Sequence, residues 1–291
     1  MASWTATNAG ALTPAAAGTK RPVLVTGAAG NIGSYFAEHA GGKYDLRLMV
    51  RGDEAGIDAL GAFGEVVEAD LADLVRLKGV CGGMDTIVHM AGDPGPSSLW
   101  RDLLDANIIG TYNVFAAAKA AGVRRVIYAS SIHAVSGYPA DVQVKTSEPV
   151  NPGDLYGVSK CFGEALCRYM AEKEGVSAIA LRIGAFQPLE SVQDDKGIGM
   201  LDAFVSRRDL DQLIHRCIDV DNLQFAIFHG LSDNRFKRLD ISDARALVGY
   251  APQDDATEEL PGLKDRHLRD AVVTNSGVAD GGPSGIRADV G

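Results

Sequence analysis

The sequence predicts an α/β protein built on a doubly wound, mostly parallel sheet. Short apolar runs alternate with longer amphipathic runs between residues 21 and 183. The short runs are continuously apolar, which is typical of strands covered by helices on both faces. Regular alternation of strand and helix also predicts right-handed βαβ crossovers, the connections from which such sheets are built.

Each element is placed by the length and spacing of these runs. Strands are predicted over residues 23–26, 46–50, 66–68, 86–90, 126–129, 179–183 and 225–228. Apolar residues at helical spacing predict helices over residues 32–39, 71–78, 99–121, 155–174, 210–220 and 241–248. Residues 184–199, which include Pro188 and a charged cluster, predict a loop.

The composition is typical of a globular protein and limits the classes of partner. Of the 291 residues, 46% are hydrophobic and 23% are charged, and the formal net charge is -10. Because an acidic surface repels phosphate backbones, we expect no nucleic-acid partner. The apolar runs are shorter than a membrane span, so we expect no membrane partner.

The four cysteines predict free thiols rather than a metal site. Cys81, Cys161, Cys167 and Cys217 form no C-x-x-C pair, and no histidine stands beside them at the spacing of zinc ligands. Free thiols are typical of reducing compartments, and we therefore expect a cytoplasmic protein without a metal.

A glycine-rich turn, TGAAGNIG, follows the first predicted strand. Gly27 permits the tight turn, Gly30 lets the backbone approach a pyrophosphate, and Gly33 allows close packing of helix on strand. Asn31 and Ile32 then begin a helix whose N–H groups and partial positive charge attract phosphate. Because the turn lies within a βαβ series, it predicts a Rossmann-type dinucleotide site.

Two further strand ends are candidates for the same dinucleotide site. Asp70 and Leu71 follow the third predicted strand, where an aspartate can accept the adenine amino group. The segment VHMAG ends the fourth strand, and its small Ala91 leaves room for a nicotinamide ring. On spacing alone, each segment is equally consistent with ordinary chemistry at a strand end.

The choice between NAD and NADP depends on the end of the second strand. An acidic residue there usually binds the ribose 2′-hydroxyl group, whereas an arginine accommodates a 2′-phosphate. In this sequence Val50 stands in the expected place, Arg51 follows it, and Asp53 is close enough to reach the ribose from a tight turn. This pattern favours NADP or dual use slightly, unless Arg51 is only a solvated surface residue.

A tyrosine and a lysine at four-residue spacing are the candidates for catalysis. Tyr156 and Lys160 share one face at the start of a predicted helix, where an ammonium group lowers the pKa of a neighbouring phenol. Ser130 and Ser131 end the fifth strand, and Asn107 lies in a helix that lines the same cleft. The Tyr-x-x-x-Lys pattern alone predicts only a surface pair, but with the glycine turn and the serines it predicts an active site.

These motifs resemble those of the extended short-chain dehydrogenases/reductases, also called the NAD-dependent epimerase/dehydratase superfamily. The resemblance covers about residues 22–253 and depends on TGAAGNIG, VHMAG, ASSIHA, LYGVSKCFGE and LRIG. Within the superfamily, the sequence is most similar to uronate dehydrogenases and to archaeal-type NAD-dependent glucose-6-phosphate dehydrogenases. The latter share the segments HMAGDPGPSSLWRDLLDANIIGT and SDNRFKRLDISDARALVGYAPQD.

The resemblance implies a mechanism in which hydride leaves C1 of a sugar for the nicotinamide and gives a lactone. Tyr156 resembles the general base, and Lys160 its partner, which also holds the nicotinamide ribose. Ser131 matches the serine that bonds to the reacting oxygen. Ser130 and His133 are expected to contact the substrate, although His133 is also consistent with a core residue at a strand end.

Two departures from the pattern of these relatives concern the substrate. Ile132 stands where both groups have an asparagine between the serine pair and the histidine. Gly199 stands where the uronate enzymes have an arginine that holds the carboxylate, and Lys196 is the nearest cation. Lys196 is therefore the candidate for an acidic sugar, although lysine lacks the bidentate geometry of arginine.

The chain has four predicted parts and two alternative functions. We expect a disordered arm over residues 1–20, a dinucleotide-binding domain over 21–183, a small substrate-capping region interleaved with it over 184–273, and a disordered tail over 274–291.

A nucleotide-sugar epimerase or dehydratase shares the fold, but the capping region is small for its substrate. A non-catalytic NADP(H)-binding redox sensor is the other alternative. Helices 99–121 and 155–174 are candidates for a homodimer face.

Overall fold

The structure, a computed structural model, describes residues 6–8, 20–193 and 199–259 of the chain. Its strands are β1 (Ala6–Asn8), β2 (Pro22–Thr26), β3 (Asp45–Val50), β4 (Glu65–Glu68), β5 (Thr86–His89), β6 (Arg125–Ser131), β7 (Ser177–Ile183), β8 (Ala185–Gln187), β9 (Phe204–Ser206) and β10 (Leu223–Gly230). Its α-helices are α1 (Asn31–Ala40), α2 (Ile57–Leu60), α3 (Leu74–Val80), α4 (Trp100–Leu103), α5 (Thr111–Ala120), α6 (Leu155–Glu172), α7 (Arg207–Asp219), α8 (Ser242–Val248) and α9 (Ala256–Glu259). Within these ranges, no helix combines the length and apolar character needed to cross a membrane.

Eight strands form the central sheet, in the order β1-β10-β7-β6-β5-β2-β3-β4. Every neighbouring pair is parallel except β1 with β10. From β2 the chain adds β3 and β4 on one side and β5, β6 and β7 on the other, so the strand order reverses between β2 and β5. The predicted doubly wound fold is confirmed, and this reversal is where such sheets bind ligands.

Successive residues of β2 show why helices cover both faces. Val23 and Val25 point into a core cluster that also contains Phe36 of α1. Leu24 points to the opposite face, into a cluster with Phe115 of α5. Side chains alternate along a strand, so a continuously apolar strand requires a helical layer on each side.

Several boundaries differ from the prediction, each for a local reason. Helix α3 begins at Leu74 rather than residue 71, because Asp73 Oδ1 accepts the N–H of Arg76 at 2.9 Å and caps the helix there. The single helix predicted over residues 99–121 is three segments, with a π-helix at Leu104–Gly110 between α4 and α5. The predicted loop over residues 184–199 contains β8, which pairs with β9.

Residues 6–8 correct one part of the predicted N-terminal arm, whereas residues 1–5 and 9–19 lie outside the described residues. Residues 6–8, which fall in the predicted disordered arm, form the edge strand β1 and pair with β10. The pairing joins Ala6 to Ala226 and Thr7 to Phe225. Backbone hydrogen bonds therefore hold this segment in the sheet, although its composition did not predict a strand. The predicted tail over residues 274–291 lies outside the described residues.

The C-terminal region begins at the carboxyl edge of the sheet, where β7 ends. Gly184 donates its N–H to the carbonyl of Gly230 at 3.0 Å, and a Cβ on Gly184 would lie 2.1 Å from the carbonyl oxygen of Ala203. A small separate core of Val192, Leu201, Phe204 and Ala256 then holds this region together. The region therefore starts from the sheet edge at which Ser131 also ends β6.

Candidate active site

The glycine turn after β2 has the geometry of a phosphate cradle. Gly27 has a φ of +68°, and a Cβ there would lie 2.7 Å from the backbone nitrogen of Ala91. A Cβ on Gly33 would lie 2.2 Å from the carbonyl oxygen of Gly27. Gly30 precedes Asn31 at the start of α1 and caps it without a side-chain hydrogen bond. The turn therefore excludes side chains and leaves the helix N-terminus to a phosphate, as a dinucleotide requires.

The predicted strand-end residues lie at the same edge as this turn. Ala91 follows β5 and donates its N–H to the Thr26 hydroxyl at 3.3 Å. Asp70 follows β4, and its Oδ1 accepts the N–H of Ala72 at 2.7 Å. Leu71 packs against the start of α5 so closely that a Cβ on Gly110 would lie only 2.9 Å from the Leu71 Cβ. These backbone and packing contacts fix the floor of the cleft.

Arg51 lies at the end of β3, in negative surroundings. Its side chain is 63% exposed, and its Nε is 3.4 Å from Asp53 Oδ1 and 3.6 Å from Glu54 Oε1. Val50, one residue earlier, is buried in the core beneath α1. The structure therefore brings Arg51 to the predicted place, with two carboxylates close to its guanidinium.

Tyr156 and Lys160 stand on the buried face of α6 against the end of β6. The Tyr156 hydroxyl hydrogen-bonds to Ser131. The Lys160 ammonium donates to the carbonyl of Ala129 at 2.9 Å and lies 5.3 Å from the centroids of both the Tyr156 and Tyr128 rings. All three predicted catalytic side chains therefore meet at the carboxyl edge, next to the dinucleotide turn.

Burial controls the protonation of this pair. Desolvation raises the pKa of Tyr156 to about 12, although its hydrogen bond with Ser131 lowers it in part. Desolvation also lowers the pKa of Lys160 to about 8, against a raising effect of Asp93. The lowering of the Tyr156 pKa by Lys160 stays a prediction, because in the protein alone the cost of burying the phenolate is the largest effect on that pKa.

His133 faces Tyr156 and is held by an aspartate that the sequence analysis missed. The His133 ring lies edge-on to the Tyr156 ring, with centroids 5.4 Å apart. Its Nδ1 is 2.6 Å from Asp154 Oδ2, while Asp154 Oδ1 accepts the N–H of Gly157 at 2.6 Å and caps α6. An aspartate just before the helix that carries Tyr156 is a cap signal and was the available clue.

Asn107 links the loop after β5 to α6 and is buried. Its Oδ1 accepts the N–H of Asp93 at 2.8 Å, and its Nδ2 donates to the Asp93 carbonyl and to Ser159 Oγ, each at 3.0 Å. The π-helix turns Asn107 inward at this point, which is a common use of such segments at functional sites. Its amide group therefore positions the cleft wall.

Ser130 is a correction, because its side chain lies beneath the site rather than in it. Its Oγ donates to Glu164 Oε1 at 2.6 Å, and only 2% of the residue is exposed. Glu164 in turn forms a bidentate ion pair with Arg182, with both N–O distances at 2.9 Å. Strand alternation turns Ser130 away from the position where Ser131 meets Tyr156. The structure therefore engages the Ser130 hydroxyl with Glu164 rather than placing it beside the Tyr156 hydroxyl.

The structure describes the two departures on the substrate side but not the lysine. Ile132 is 8% exposed and packs into the core cluster of α1 and α7, so it adds an apolar wall behind the site. Gly199 lies in the described range, whereas the predicted substrate cation, Lys196, lies outside it. In the described ranges, no group of three or more histidine, cysteine, aspartate or glutamate side chains is arranged to hold a metal.

The fold and the site together define a class of protein. A Rossmann sheet with a phosphate turn, and a tyrosine and lysine one helical turn apart at its edge, is the architecture of a nicotinamide-dependent oxidoreductase of the short-chain type. The model of the NAD dependent epimerase/dehydratase family matches residues 23–187. The chain belongs to this family, which confirms the resemblance found in the sequence.

Known relatives cover most of the chain. An NAD-dependent glucose-6-phosphate dehydrogenase from Haloferax volcanii is 35% identical over 254 residues, 82% of this chain and 95% of that protein. An L-arabinose 1-dehydrogenase (NAD(P)(+)) from the same organism is 30% identical over 80% of this chain and 97% of that protein. The crystal structure of uronate dehydrogenase from Agrobacterium tumefaciens is 32% identical, with a TM-score of 0.73, over 87% of this chain and 90% of that one. A mutant of that enzyme was solved in complex with NAD.

Proposed function

We propose that the protein is an NAD(P)-dependent dehydrogenase that oxidises C1 of a sugar or sugar acid to a lactone. The observation that carries the proposal is the hydrogen-bonded pair of Ser131 and Tyr156 beside Lys160, at the sheet edge that also holds the Gly27 turn. Relatives at 30% and 35% identity bear the names of sugar dehydrogenases. The matches cover 82% and 80% of this chain and nearly all of each relative, which supports the same reaction class.

In the proposed reaction, Tyr156 removes the proton of the C1 hydroxyl group. Oxidised NAD(P), when bound, supplies the hydride acceptor and a positive charge next to the site. Ser131 donates to the same substrate oxygen and holds it beside the Tyr156 hydroxyl. Lys160 stabilises the phenolate and bonds to the nicotinamide ribose. Positive charge from both sides offsets the burial that raises the pKa of Tyr156 to about 12.

His133 and Asp154 form the second half of the proposed substrate site. Because Asp154 engages Nδ1 of the ring, Nε2 of His133 is left to meet a substrate hydroxyl group. The edge-on packing of His133 against Tyr156 then fixes the distance between that hydroxyl and the reacting one. Asp154 is therefore a positioning residue, which acts on the substrate through His133.

We propose that the substrate is either a uronate-like sugar acid or an aldose phosphate, with Lys196 as the cation for the acidic group. Gly199 offers no charge in the place of the arginine that the uronate enzymes use. The apolar wall at Ile132 also removes one polar contact from the sugar ring. Together these residues favour a substrate that depends less on polar contacts with the sugar ring and more on its anionic group.

A substrate panel tests the proposal directly. The purified protein is offered NAD and NADP in turn, with hexuronic acids, hexose phosphates and free aldoses, and the absorbance of reduced nicotinamide is followed. We expect reduction with at least one of these sugars and a lactone as the product. No reduction with any sugar contradicts the proposal. Interconversion of nucleotide sugars without net reduction would establish the epimerase alternative, and binding of NADP(H) without either reaction would establish the sensor.

The exposed faces of α5 and α6 support a homodimer. Tyr112 and Tyr169 on these helices are close enough to interact, and both are about half exposed. Ile109 of the π-helix and Val158 of α6 are further exposed apolar residues. Light scattering tests this proposal: Tyr112→Asp should yield monomers, whereas Val75→Asp, at an 81% exposed site on α3, should not. Monomeric wild-type protein would contradict it.

The free thiols support a location in a reducing compartment such as the cytoplasm. All four cysteines are free, and Cys81, Cys167 and Cys217 are buried. Burial raises the pKa of each of these three thiols, which keeps them protonated and unreactive. Buried unpaired thiols are typical of proteins that fold where disulfides do not persist.

A further inference from the structure

Glu54 occupies the anion-binding position at the end of β3. Its Oε2 accepts the backbone N–H of Arg51 at 2.8 Å and that of Gly52 at 3.0 Å, and its Oε1 accepts the N–H of Arg51 at 3.1 Å. Two successive backbone N–H groups that converge on one point form a nest, a common binding site for anions. In this chain the nest is filled by a carboxylate from the same loop.

Two further carboxylates surround this nest. Gly52 has a φ of +100°, and a Cβ there would lie 2.7 Å from the carboxyl carbon of Glu68 at the end of β4. Asp53 lies 3.4 Å from the Arg51 Nε. The formal charge of Arg51, Asp53, Glu54 and Glu68 together is therefore negative. Arg51 alone cannot make this corner of the cleft attractive to a dianion.

The end of β3 is where the adenosine ribose of a dinucleotide lies in a Rossmann sheet, so the group on its 2′ carbon meets this corner. A 2′-phosphate carries a charge between about -1.5 and -2 and needs N–H donors and an arginine. Both kinds of donor are engaged here by Glu54, which acts as a built-in competitor. A 2′-hydroxyl group, in contrast, can donate a hydrogen bond to the same carboxylate.

We infer that Glu54 makes the protein selective for NAD over NADP. Glu54 supplies, from the loop, the carboxylate that the strand-end residue Val50 lacks. Arg51 serves to hold Asp53 and Glu54 in place rather than to receive a phosphate. This inference rests on the proposed function, because it requires the dinucleotide to lie along the carboxyl edge of the sheet. It also reverses the slight preference for NADP that Arg51 suggested in the sequence.

Equilibrium binding of NADH and NADPH tests the inference without turnover. Dissociation constants are measured by nicotinamide fluorescence for wild type and for Glu54→Gln, which keeps the shape and a hydrogen-bond acceptor but removes the charge. We expect wild type to bind NADH at least about tenfold more tightly than NADPH. In Glu54→Gln, the ratio of the NADPH to the NADH dissociation constant should fall by about tenfold, mainly through tighter binding of NADPH.

Asp53→Asn is the matched control, because it removes an equal charge that touches Arg51 but not the nest. It should change the ratio by less than about threefold. For the wild-type protein, higher salt should lower the ratio of the NADPH to the NADH dissociation constant, since salt screens the repulsion between the 2′-phosphate and the carboxylates. Equal or tighter binding of NADPH by wild type, or an unchanged ratio in Glu54→Gln, overturns the inference. Failure of both nucleotides to bind would instead overturn the proposed function.

Discussion

Buried charges at two positions on one face of α6 have opposite surroundings, since one has an ion-pair partner and the other does not. Tyr156, Lys160 and Glu164 follow one another at four-residue spacing on the buried side of α6. Glu164 is fully matched: Arg182 binds both of its oxygens, and Ser130 donates to one of them. One turn closer to the sheet edge, the contacts of Lys160 among the described residues are the Ala129 carbonyl and two tyrosine rings, and Asp93 acts on its charge without forming an ion pair of the kind that Glu164 makes with Arg182.

The difference separates a structural pair from a reactive one. Burial without a matching opposite charge lowers the pKa of Lys160 to about 8 and raises that of Tyr156 to about 12. Such perturbed groups cluster at functional sites, because burial and specific neighbours tune their pKa values to the chemistry. Substitutions of Tyr156, Glu164, Lys160 and Asp154 test this contrast.

Removal of the Tyr156 hydroxyl should have the largest effect. In Tyr156→Phe we expect kcat to fall by about a thousandfold or more, since no other group takes the proton of the C1 hydroxyl. The dissociation constant for reduced nucleotide, measured by fluorescence, should change by less than about threefold. A variant that keeps turnover, or one that loses nucleotide binding instead, would show that Tyr156 is not the base.

Removal of the Glu164 charge should act on stability rather than on chemistry. In Glu164→Gln the Arg182 guanidinium is left buried without an anion, and we expect a loss of about 3–5 kcal/mol in the free energy of unfolding in urea. The control is Glu172→Gln, which breaks the partly exposed pair of Glu172 with Arg168 at 2.9 Å. That change should cost less than about 1 kcal/mol. Similar losses in the two variants would contradict the contrast.

Removal of the Lys160 charge should stabilise the fold while it abolishes turnover. The pKa of Lys160 is lowered from 10.5 to about 8, so folding disfavours its charged form. Below about pH 8, Lys160→Met should therefore be more stable than wild type by about 1–3 kcal/mol. The advantage should shrink as the pH rises from about 8 to 10.5, because the folded wild-type protein releases the lysine proton near pH 8 whereas the unfolded chain keeps it until about pH 10.5. A variant that is less stable at neutral pH would argue against an unmatched charge.

The change of Asp154 to asparagine should have the smallest effect. Asparagine still caps α6, so the free energy of unfolding should change by less than about 1 kcal/mol. The His133 ring loses its anionic partner, and we expect kcat/KM to fall by about tenfold. The pH profile should shift to lower pH, because the Asp154 charge raises the pKa of Tyr156. Asp154→Ala, which loses the cap as well, should cost stability in addition. An unchanged pH profile in Asp154→Asn would mean that Asp154 is only a cap.

The sequence predicted the parts of the site that are local in the chain. Gly27 and Gly33 act within one turn, and Tyr156 and Lys160 within one turn of helix, so their spacing carries the information. The partners of these residues come from other elements: Asp154 lies 21 positions from His133, and a sequence alone does not pair them. The same limit explains the error at Ser130. Strand alternation predicts that Ser130 and Ser131 face opposite sides of the sheet, but it does not predict that Ser130 meets Glu164.

Other features escaped prediction because they depend on local backbone geometry. The π-helix that turns Asn107 inward has no periodicity of its own in a seven-residue segment. The contact of Glu54 with the N–H groups of Arg51 and Gly52 depends on a positive φ at Gly52. Strand β1 is too short and too polar to be recognised without its partner, β10. Tertiary context decides such segments, and composition does not.

Transfer of deuterium from C1 of the sugar is the most direct test of the central claim. The enzyme is incubated with oxidised nucleotide and a substrate from the panel that carries deuterium only at C1, and the reduced nucleotide is analysed by mass spectrometry and NMR. We expect one deuterium at C4 of the nicotinamide ring and a lactone without the label. Reduced nucleotide that lacks deuterium, while the sugar is still oxidised, would contradict oxidation at C1.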